Sequence, residues 1–396
     1  MAAALNKRRA GFGRPLVGAC LLAWALVSGP ALAGEAAAQP RALEPGSGWV
    51  LNASLSQEAV GQGLPVLLLG GDSWPQYLTD RPSAARAALW ARVELQATHP
   101  RGWRFGTIAR QESTLAASAD TVDLAAAYVA SSNPGAPQNF RVSAQAHQWR
   151  ANGLKLGTPW LALNFNESLK WQADFQYLQL IKLETTSVNG AVKYQGNDVY
   201  DFDLYAEQAN QGVYGPFLAN SNTSGWGSSL SGQLALELSP QLHFTVAVDD
   251  LLSTLQWSGL ATDSSAIQST TVTRAGDGTL DYGPLVKGRQ CLSDVRKEIG
   301  PGVTAKLTWR PPASKAQTGA AIVRYARKYD IEQLWLGWDA ERPRVLGMAW
   351  SAELEPHRGA LAVRLRGTHW SVQWAGDGHG VARQYTRTGV TWSGSF

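Results

Sequence analysis

The sequence predicts an all-β protein, an antiparallel transmembrane β-barrel of 12 to 16 strands with 14 as the best single number. Three observations lead to this fold class. Apolar and polar residues alternate with a period of two along most of the chain, and seventeen segments show this alternation. No mature segment has the length and apolar character of a transmembrane helix. Many segments are 8 to 13 residues long, which suits the tilted strands of a barrel.

The first 33 residues predict a cleaved export signal. Four basic residues up to Arg14 precede an apolar stretch at 16–29, and residues 31–33 form an A-x-A cleavage site. The chain carries 35 basic and 31 acidic residues, so these four charges account for the whole net charge of +4. The mature chain is neutral overall, which gives no support to nucleic-acid binding. It keeps a single cysteine, Cys291, so an intrachain disulfide is excluded.

The clearest alternation runs from Trp226 to Leu238, where apolar residues occupy every second position between mostly polar ones. A turn at Ser239 and Pro240 follows, and the pattern resumes from Leu242. These segments predict a hairpin with one apolar and one polar face. A barrel with lipid outside and a polar interior explains both faces.

The end of the chain carries the same alternation. Counting back by twos from Phe396 gives Trp392 and Val390 on one face. This pattern resembles the terminal strand of Gram-negative outer-membrane β-barrel proteins, and the whole chain loosely resembles porin-like and FadL-like barrels. The resemblance implies an outer-membrane location, lipid and lipopolysaccharide as surroundings, and recognition of Phe396, Trp392 and Val390 by the barrel-assembly machinery.

The predicted organisation has three parts. Residues 1–33 are the signal peptide, 34–86 form a periplasmic tail, a plug or a piece folded into the lumen, and 87–396 form the barrel. A long loop at 258–302 is the predicted functional insertion, because structureless loops of this length are uncommon.

Counting strands back from the chain end predicts which connections share an end of the barrel. Short turns at 239–240, 311–318 and 339–343 fall on the periplasmic side, and the gaps at 206–225 and 258–302 fall outside.

Charge is unevenly distributed along the mature chain. The net charge is −7 over 34–288 and +7 over 289–396. Strand alternation turns several arginines inward, and these are the candidate pore-lining residues: Arg324, Arg364, Arg366, Arg383 and Arg387. They either line an anion-selective path or pair with carboxylates of the earlier half, for which the candidates are Asp174, Asp201, Asp203 and Glu237.

The tryptophans fit the aromatic girdle of a barrel. The candidates near predicted strand ends are Trp335, Trp338, Trp350, Trp370, Trp374 and Trp392.

The sequence therefore predicts a porin-like channel or small-substrate transporter for a small anionic or apolar solute. A plugged barrel with a structural or envelope-assembly role is the alternative. A membrane-embedded hydrolase is a weaker one, based on Gly71, Asp72 and Ser73 after an apolar run. No complete catalytic motif, cofactor motif or metal-ligand spacing is present, so the chain is predicted not to be an enzyme.

Overall fold

A computed structural model describes residues 48–66, 69, 73–78, 84–163, 166–196, 199–210, 223–269, 272–274, 280–282, 286–312, 318–345, 348–378 and 384–395. The predicted signal peptide at 1–33 lies outside these ranges, as do the predicted site residues Arg383 and Phe396.

The described residues form nineteen β-strands, one α-helix and one short 3-10 helix. The strands are β1 Val50–Gln62, β2 Ala84–Thr98, β3 Arg104–Ser118, β4 Gln138–Gly157, β5 Leu161–Leu163, β6 Asn166–Gly196, β7 Val199–Asn210, β8 Ser224–Ser239, β9 Leu242–Gln268, β10 Val272–Arg274, β11 Leu280–Tyr282, β12 Val286–Lys297, β13 Gly302–Trp309, β14 Thr318–Lys328, β15 Ile331–Val345, β16 Met348–Glu355, β17 Ala360–Arg366, β18 Trp370–Gly376 and β19 Tyr385–Ser395. The 3-10 helix is Trp74–Tyr77 and helix α1 is Ala119–Val129.

The main sheet closes on itself as an antiparallel barrel. Val50 of β1 pairs with Ser395 of β19 on one side and with Thr98 of β2 on the other. Seventeen of the strands belong to this sheet, while β10 and β11 form a separate hairpin. The barrel has 14 wall positions. The predicted fold class and strand number are confirmed.

Two wall positions are each occupied by two successive strands, and β5 is a three-residue extension. β7 and β8 both run antiparallel to β6 and both pair with β9, β7 farther up and β8 lower down. β12 and β13 likewise follow one another along β9. Residues 298–301 interrupt the second of these wall positions.

The wall is much taller on one side than on the other. β6 has 31 residues and β9 has 27, whereas β17 and β18 have 7 each. We use "upper" for the end that carries the β14–β15 turn. Gly302, at the upper end of β13, pairs with Asp249, and β9 continues upward from there to Gln268. We call β4, β6, β7, β9 and β12 the tall wall, and β14 to β19 the low wall.

The outward face carries a belt of exposed apolar side chains. Val390 and Trp392 of β19 are 45% and 43% exposed and alternate with the buried Tyr385 and Arg387 on the inward face. Other members of this belt are Val93, Leu95, Phe105, Leu154, Leu156, Phe175, Tyr177, Leu234, Leu252, Val323, Leu334, Leu336, Leu361, Val372 and Trp374. Such a continuous apolar surface requires an apolar environment or a partner to cover it.

The connection after β1 covers the upper part of this outward face. Leu89 of β2 shares the alternation of the exposed Val93 and Leu95, yet it is buried. It packs in one cluster with Leu64 and Trp74 from the connection, and with Val122 of α1. The prediction of a tail, plug or luminal piece at 34–86 is therefore wrong for the described part. β1 belongs to the wall, and the residues after it pack on the outside.

Helix α1 begins after Ser118, whose hydroxyl accepts a hydrogen bond from Thr121 N at 3.3 Å. It ends after 11 residues. Within the described ranges, no helix is both long and apolar enough to cross a membrane.

Three predicted connections need correction. The segment 258–302 is largely strand, because β9 extends to Gln268 and β12 begins at Val286. The gap at 206–225 separates two strands that run in the same direction, so it interrupts one wall position. The predicted turn at 339–343 lies within β15, which continues to Val345.

Candidate functional site

A cluster of buried charged side chains crosses the lumen at mid-wall. Arg110 of β3 binds Asp250 of β9 through two hydrogen bonds of 2.8 and 2.7 Å. The same guanidinium contacts Glu112 at 2.6 Å. Lys328, at the upper end of β14, donates to Glu112 at 3.0 Å, and the hydroxyl of Tyr329 donates to the other carboxylate oxygen. We call these five residues the luminal charge cluster.

Asp250 reaches the cluster because β9 is irregular at this point. Its φ of +53° lies in the left-handed region, and the β8–β9 register shifts between Leu230 and Gly232. The carboxylate also accepts a hydrogen bond from Ser229 at 2.6 Å, while Ser231 accepts one from the Asp250 backbone N–H at 3.1 Å. The side chain is fully buried, and both carboxylate oxygens accept hydrogen bonds, as a buried carboxylate requires.

The cluster joins three separate parts of the wall. β3, β9 and β14 are not neighbours in the barrel, so bonds between them must span the lumen. Arg110 and Lys328 balance the charges of Glu112 and Asp250. The structure thus places across the lumen a tie that is electrically neutral.

A pocket lies directly above the cluster, on the inner side of the tall wall. It holds about 430 Å³ of empty space, including its open mouth. Apolar and aromatic side chains line most of it: Trp149, Leu183, Leu255, Trp257 and Ile299. Glu112 and Tyr329 of the cluster form its lower side.

Lys297 supplies a positive charge to this pocket. Its ammonium group lies 2.8 Å from His147 Nδ1. Among the described residues, no carboxylate lies within ion-pair distance of it. Trp257 is 1% exposed, and its indole N–H has no acceptor in the described part of the chain. The Lys297 ammonium and the Trp257 indole N–H can therefore each donate a further hydrogen bond.

Two glycines of β8 make room for the pocket wall. A Cβ at Gly225 would lie 2.8 Å from Trp257 Cδ1, and one at Gly227 would lie 2.6 Å from Leu255 Cδ2. The absence of side chains at these inward positions lets both residues fold against β8.

Four of the five predicted pore-lining arginines are described, and all four lie on the inward face. Arg324 pairs with Glu353 at 2.7 Å, and Arg387 lies 3.7 Å from Glu58. Arg366 pairs with Asp339.

Arg364 bonds Gln373 at 3.1 Å and forms no ion pair with another described residue. The pairing partners of the arginines differ from those considered from the sequence. Asp174 pairs with Arg104 and Lys155, and Glu237 lies 3.8 Å from Lys170. Asp201 and Asp203 accept hydrogen bonds from Gln195 and Gln268.

Other predicted residues have these positions. Val390 and Trp392 face outward, whereas Trp335 is buried inside the barrel and is not a girdle residue. Ser73 is exposed before the 3-10 helix, and no described contact joins it to a histidine. Cys291 is a free thiol. Within the described ranges, no group of His, Cys, Asp or Glu is arranged to hold a metal ion.

Sequence reasoning missed the luminal charge cluster and the pocket. Two signals in the sequence point to the cluster. Arg110 and Glu112 occupy alternate positions of one strand, and Asp249–Asp250 breaks the alternation of an otherwise regular segment. Nothing in the sequence pairs Lys328 with β3, because 216 residues separate Lys328 from Glu112.

Comparison with known proteins gives only distant likenesses. No family model matches the chain, and no curated protein matches it. A deletion variant of the monoaromatic hydrocarbon channel TodX is 12% identical, with 89% of this chain and 91% of that chain covered and a TM-score of 0.43. The Pseudomonas putida toluene transporter TodX is 9% identical, covering 92% and 94%, with a TM-score of 0.31. The translocator domain of the Neisseria meningitidis autotransporter NalP is 9% identical, covering 89% and 90%, with a TM-score of 0.30.

At these low scores, the architecture rests on the strand pairing itself. The solved structures that resemble this chain are outer-membrane β-barrels, and the chain is a closed antiparallel barrel of 14 strands.

Proposed function

We propose that the protein is an outer-membrane channel or transporter for a small solute, normally held closed by the luminal charge cluster. The observation that carries this proposal is the pocket placed directly above a cross-lumen tie. A solute that occupies the pocket touches Glu112 and Tyr329, which belong to the tie. The outward apolar belt supports a location in the outer membrane, with lipid and lipopolysaccharide around the wall.

The tie also explains how a wide barrel avoids acting as an open pore. Arg110 is 1% and Asp250 0% exposed, so this contact is packed on all sides at mid-wall. Breaking the bonds of Lys328 and Tyr329 to Glu112 frees the β14–β15 turn from β3. That turn is the part of the tie contributed by the low wall, and we expect its release to widen the lumen, while Arg110 and Asp250 still join β3 to β9.

The experiment is single-channel recording of the purified barrel in planar bilayers. We expect low conductance for the natural protein and frequent, larger openings for the double variant Lys328→Met/Tyr329→Phe. Arg327→Met is the matched control, because Arg327 belongs to the same hairpin but is 53% exposed and pairs with Asp330 at the surface. Heat-modifiable gel mobility verifies that each variant is folded.

Absence of conductance in both the natural protein and the double variant would refute the channel. The alternative of a plugged structural barrel would then stand, and the cross-bonded lumen is the observation that favours it.

The inward arginines are the proposed selectivity element. Reversal potentials under a salt gradient measure their effect, and we expect anion preference, because Arg364 on the inner wall forms no ion pair with any described residue. Cation preference would show that the inward arginines do not set the ion selectivity; these are Arg324, Arg364, Arg366 and Arg387.

Recognition of the terminal strand by the barrel-assembly machinery is a further part of this proposal. Val390 and Trp392 support it through their outward positions on β19.

A further inference from the structure

We infer that the pocket above the luminal charge cluster is a binding site for small carboxylic acids with an apolar body. The inference rests on the channel proposed above, since a luminal site selects what the channel carries. It goes further by naming the class of ligand, and it follows from three properties of the pocket.

The walls require an apolar body. Five apolar side chains of the wall are buried, with exposures between 1% and 7%: Trp149, Leu183, Leu255, Trp257 and Ile299. Two indole rings among five apolar side chains favour a flat or ring-shaped ligand. The empty space of about 430 Å³ includes open solvent at the mouth, so the enclosed part suits only a small ligand.

The donors require an acceptor, and the charge favours an anion. Among the described residues, the Lys297 ammonium contacts the His147 ring and pairs with no carboxylate. The indole N–H of Trp257 is buried and has no acceptor among the residues that the structure describes. A buried donor without a partner is unfavourable, so a ligand oxygen that meets it gains stability.

Other charges near the pocket do not cancel this preference. The negative charge of Glu112 is offset by Arg110 and Lys328, and the Tyr329 hydroxyl donates a hydrogen bond to its carboxylate. Glu298 borders the pocket, but its side chain is exposed and forms no ion pair with Lys297 among the described residues. Glu298 and Glu207, which acts on Lys297 electrostatically, are both exposed, so water screens their charges and weakens their repulsion of a carboxylate bound at Lys297.

The test is equilibrium binding by titration calorimetry, with the full barrel in lipid nanodiscs and benzoate as the probe. Benzyl alcohol and benzylamine are the neutral and cationic comparisons. We expect benzoate to bind most tightly and benzylamine least. Lys297→Met keeps the length of the side chain without its charge. We expect it to weaken benzoate binding by about 10- to 100-fold, as for the loss of one charge-assisted hydrogen bond, and to leave benzyl alcohol unchanged.

Lys287→Met is the matched control, because Lys287 lies on the same strand with an exposed side chain. We expect it to leave benzoate affinity unchanged. The order of the three probes on the natural protein needs no variant, so the inference stays testable if Lys297→Met fails to fold. Equal affinity for benzoate and benzyl alcohol, or no effect of Lys297→Met, would overturn it.

This experiment is independent of solute passage. A barrel that binds benzoate through Lys297 but conducts nothing would refute the proposed channel and leave the site in place. A barrel that conducts but does not bind benzoate would refute the site alone.

Discussion

At the scale of single residues, the molecule concentrates its charge where water is absent. Arg110 and Asp250 are buried more completely than most apolar side chains of the wall. Burial of two charges costs free energy that their attraction offsets only when the geometry is good and the remaining polar atoms are bonded. Here Arg110 and Asp250 form a bidentate pair. Ser229 donates a further hydrogen bond to the Asp250 carboxylate, and the Arg110 guanidinium also donates to Gln176 and Glu112.

Asp250→Asn tests this balance. The substitution removes the negative charge and leaves the Arg110 guanidinium buried with Glu112 as its remaining carboxylate. We expect the free energy of unfolding to fall by about 3–5 kcal/mol, measured by urea titration of the refolded barrel with tryptophan fluorescence. Asp249→Asn is the control, since Asp249 is 41% exposed and lies 3.9 Å from Arg92. It should cost less than about 1 kcal/mol. Similar losses for both variants would contradict a special role for the buried pair.

At the scale of elements, the break between β12 and β13 is held by one side chain. The Ser253 hydroxyl accepts a hydrogen bond from Ile299 N at 2.8 Å and donates one to Ile299 O at 3.0 Å. Ile299 is 4% exposed, so its backbone groups have lost contact with water. Ser253 replaces the strand partner that the interruption removes.

Ser253→Ala should therefore loosen the break and the pocket wall beside it. Leaving two buried backbone groups without partners costs about 1–3 kcal/mol, and the amide of Ile299 should exchange its hydrogen faster. Hydrogen exchange read by mass spectrometry measures this locally. Ser258→Ala, at an exposed position of the same strand, is expected to leave the exchange rate unchanged. Unaltered exchange in Ser253→Ala would show that the break is held by other contacts.

The sequence identified most strands where one face is apolar, and it failed where both faces are polar. The hairpin of β8 and β9 was predicted from the alternation around Leu234 and Val246. The sequence predicts a loop for the upper part of β9, because residues 262–265 are all polar and show no alternation of apolar and polar side chains. The upper part of a tall-wall strand extends beyond the lipid zone and needs no apolar face. The alternation of apolar and polar residues is therefore absent there.

The charge cluster shows a second limit of sequence reasoning. Inward arginines were predicted correctly from alternation, but their partners were not. Arg324 pairs with Glu353, which lies two strands away in the low wall, whereas Asp174 pairs with Arg104. Alternation gives the face of a residue, whereas pairing depends on register and on strands far apart in the chain.

At the scale of the whole molecule, the belt and the wall heights together define where lipid should lie. Strands of the low wall have 7 to 15 residues, and the belt lies at their level. A membrane-crossing strand needs about 9–11 residues. The additional length of β6 and β9 extends beyond this zone at the upper end.

Arginine substitution tests this placement. Val323 is the middle residue of β14 and is 42% exposed, whereas Val286 begins β12 at the top of the tall wall and is 45% exposed. We expect Val323→Arg to destabilise the barrel in lipid vesicles by about 2–4 kcal/mol, and Val286→Arg by about 0–1 kcal/mol. Folding titrations into vesicles provide the measurement. Equal costs at both positions would mean that the tall wall is also surrounded by lipid.

The unequal wall gives the mouth of the barrel a direction. The rim slopes down from β9 and β12 to the turn at Tyr329 and Asp330, and the Lys297 pocket lies just above that turn. On the low side the wall ends near the level of the pocket, whereas on the tall side β9 continues above it. The pocket is therefore shielded by the wall on one side and open toward the rim on the other.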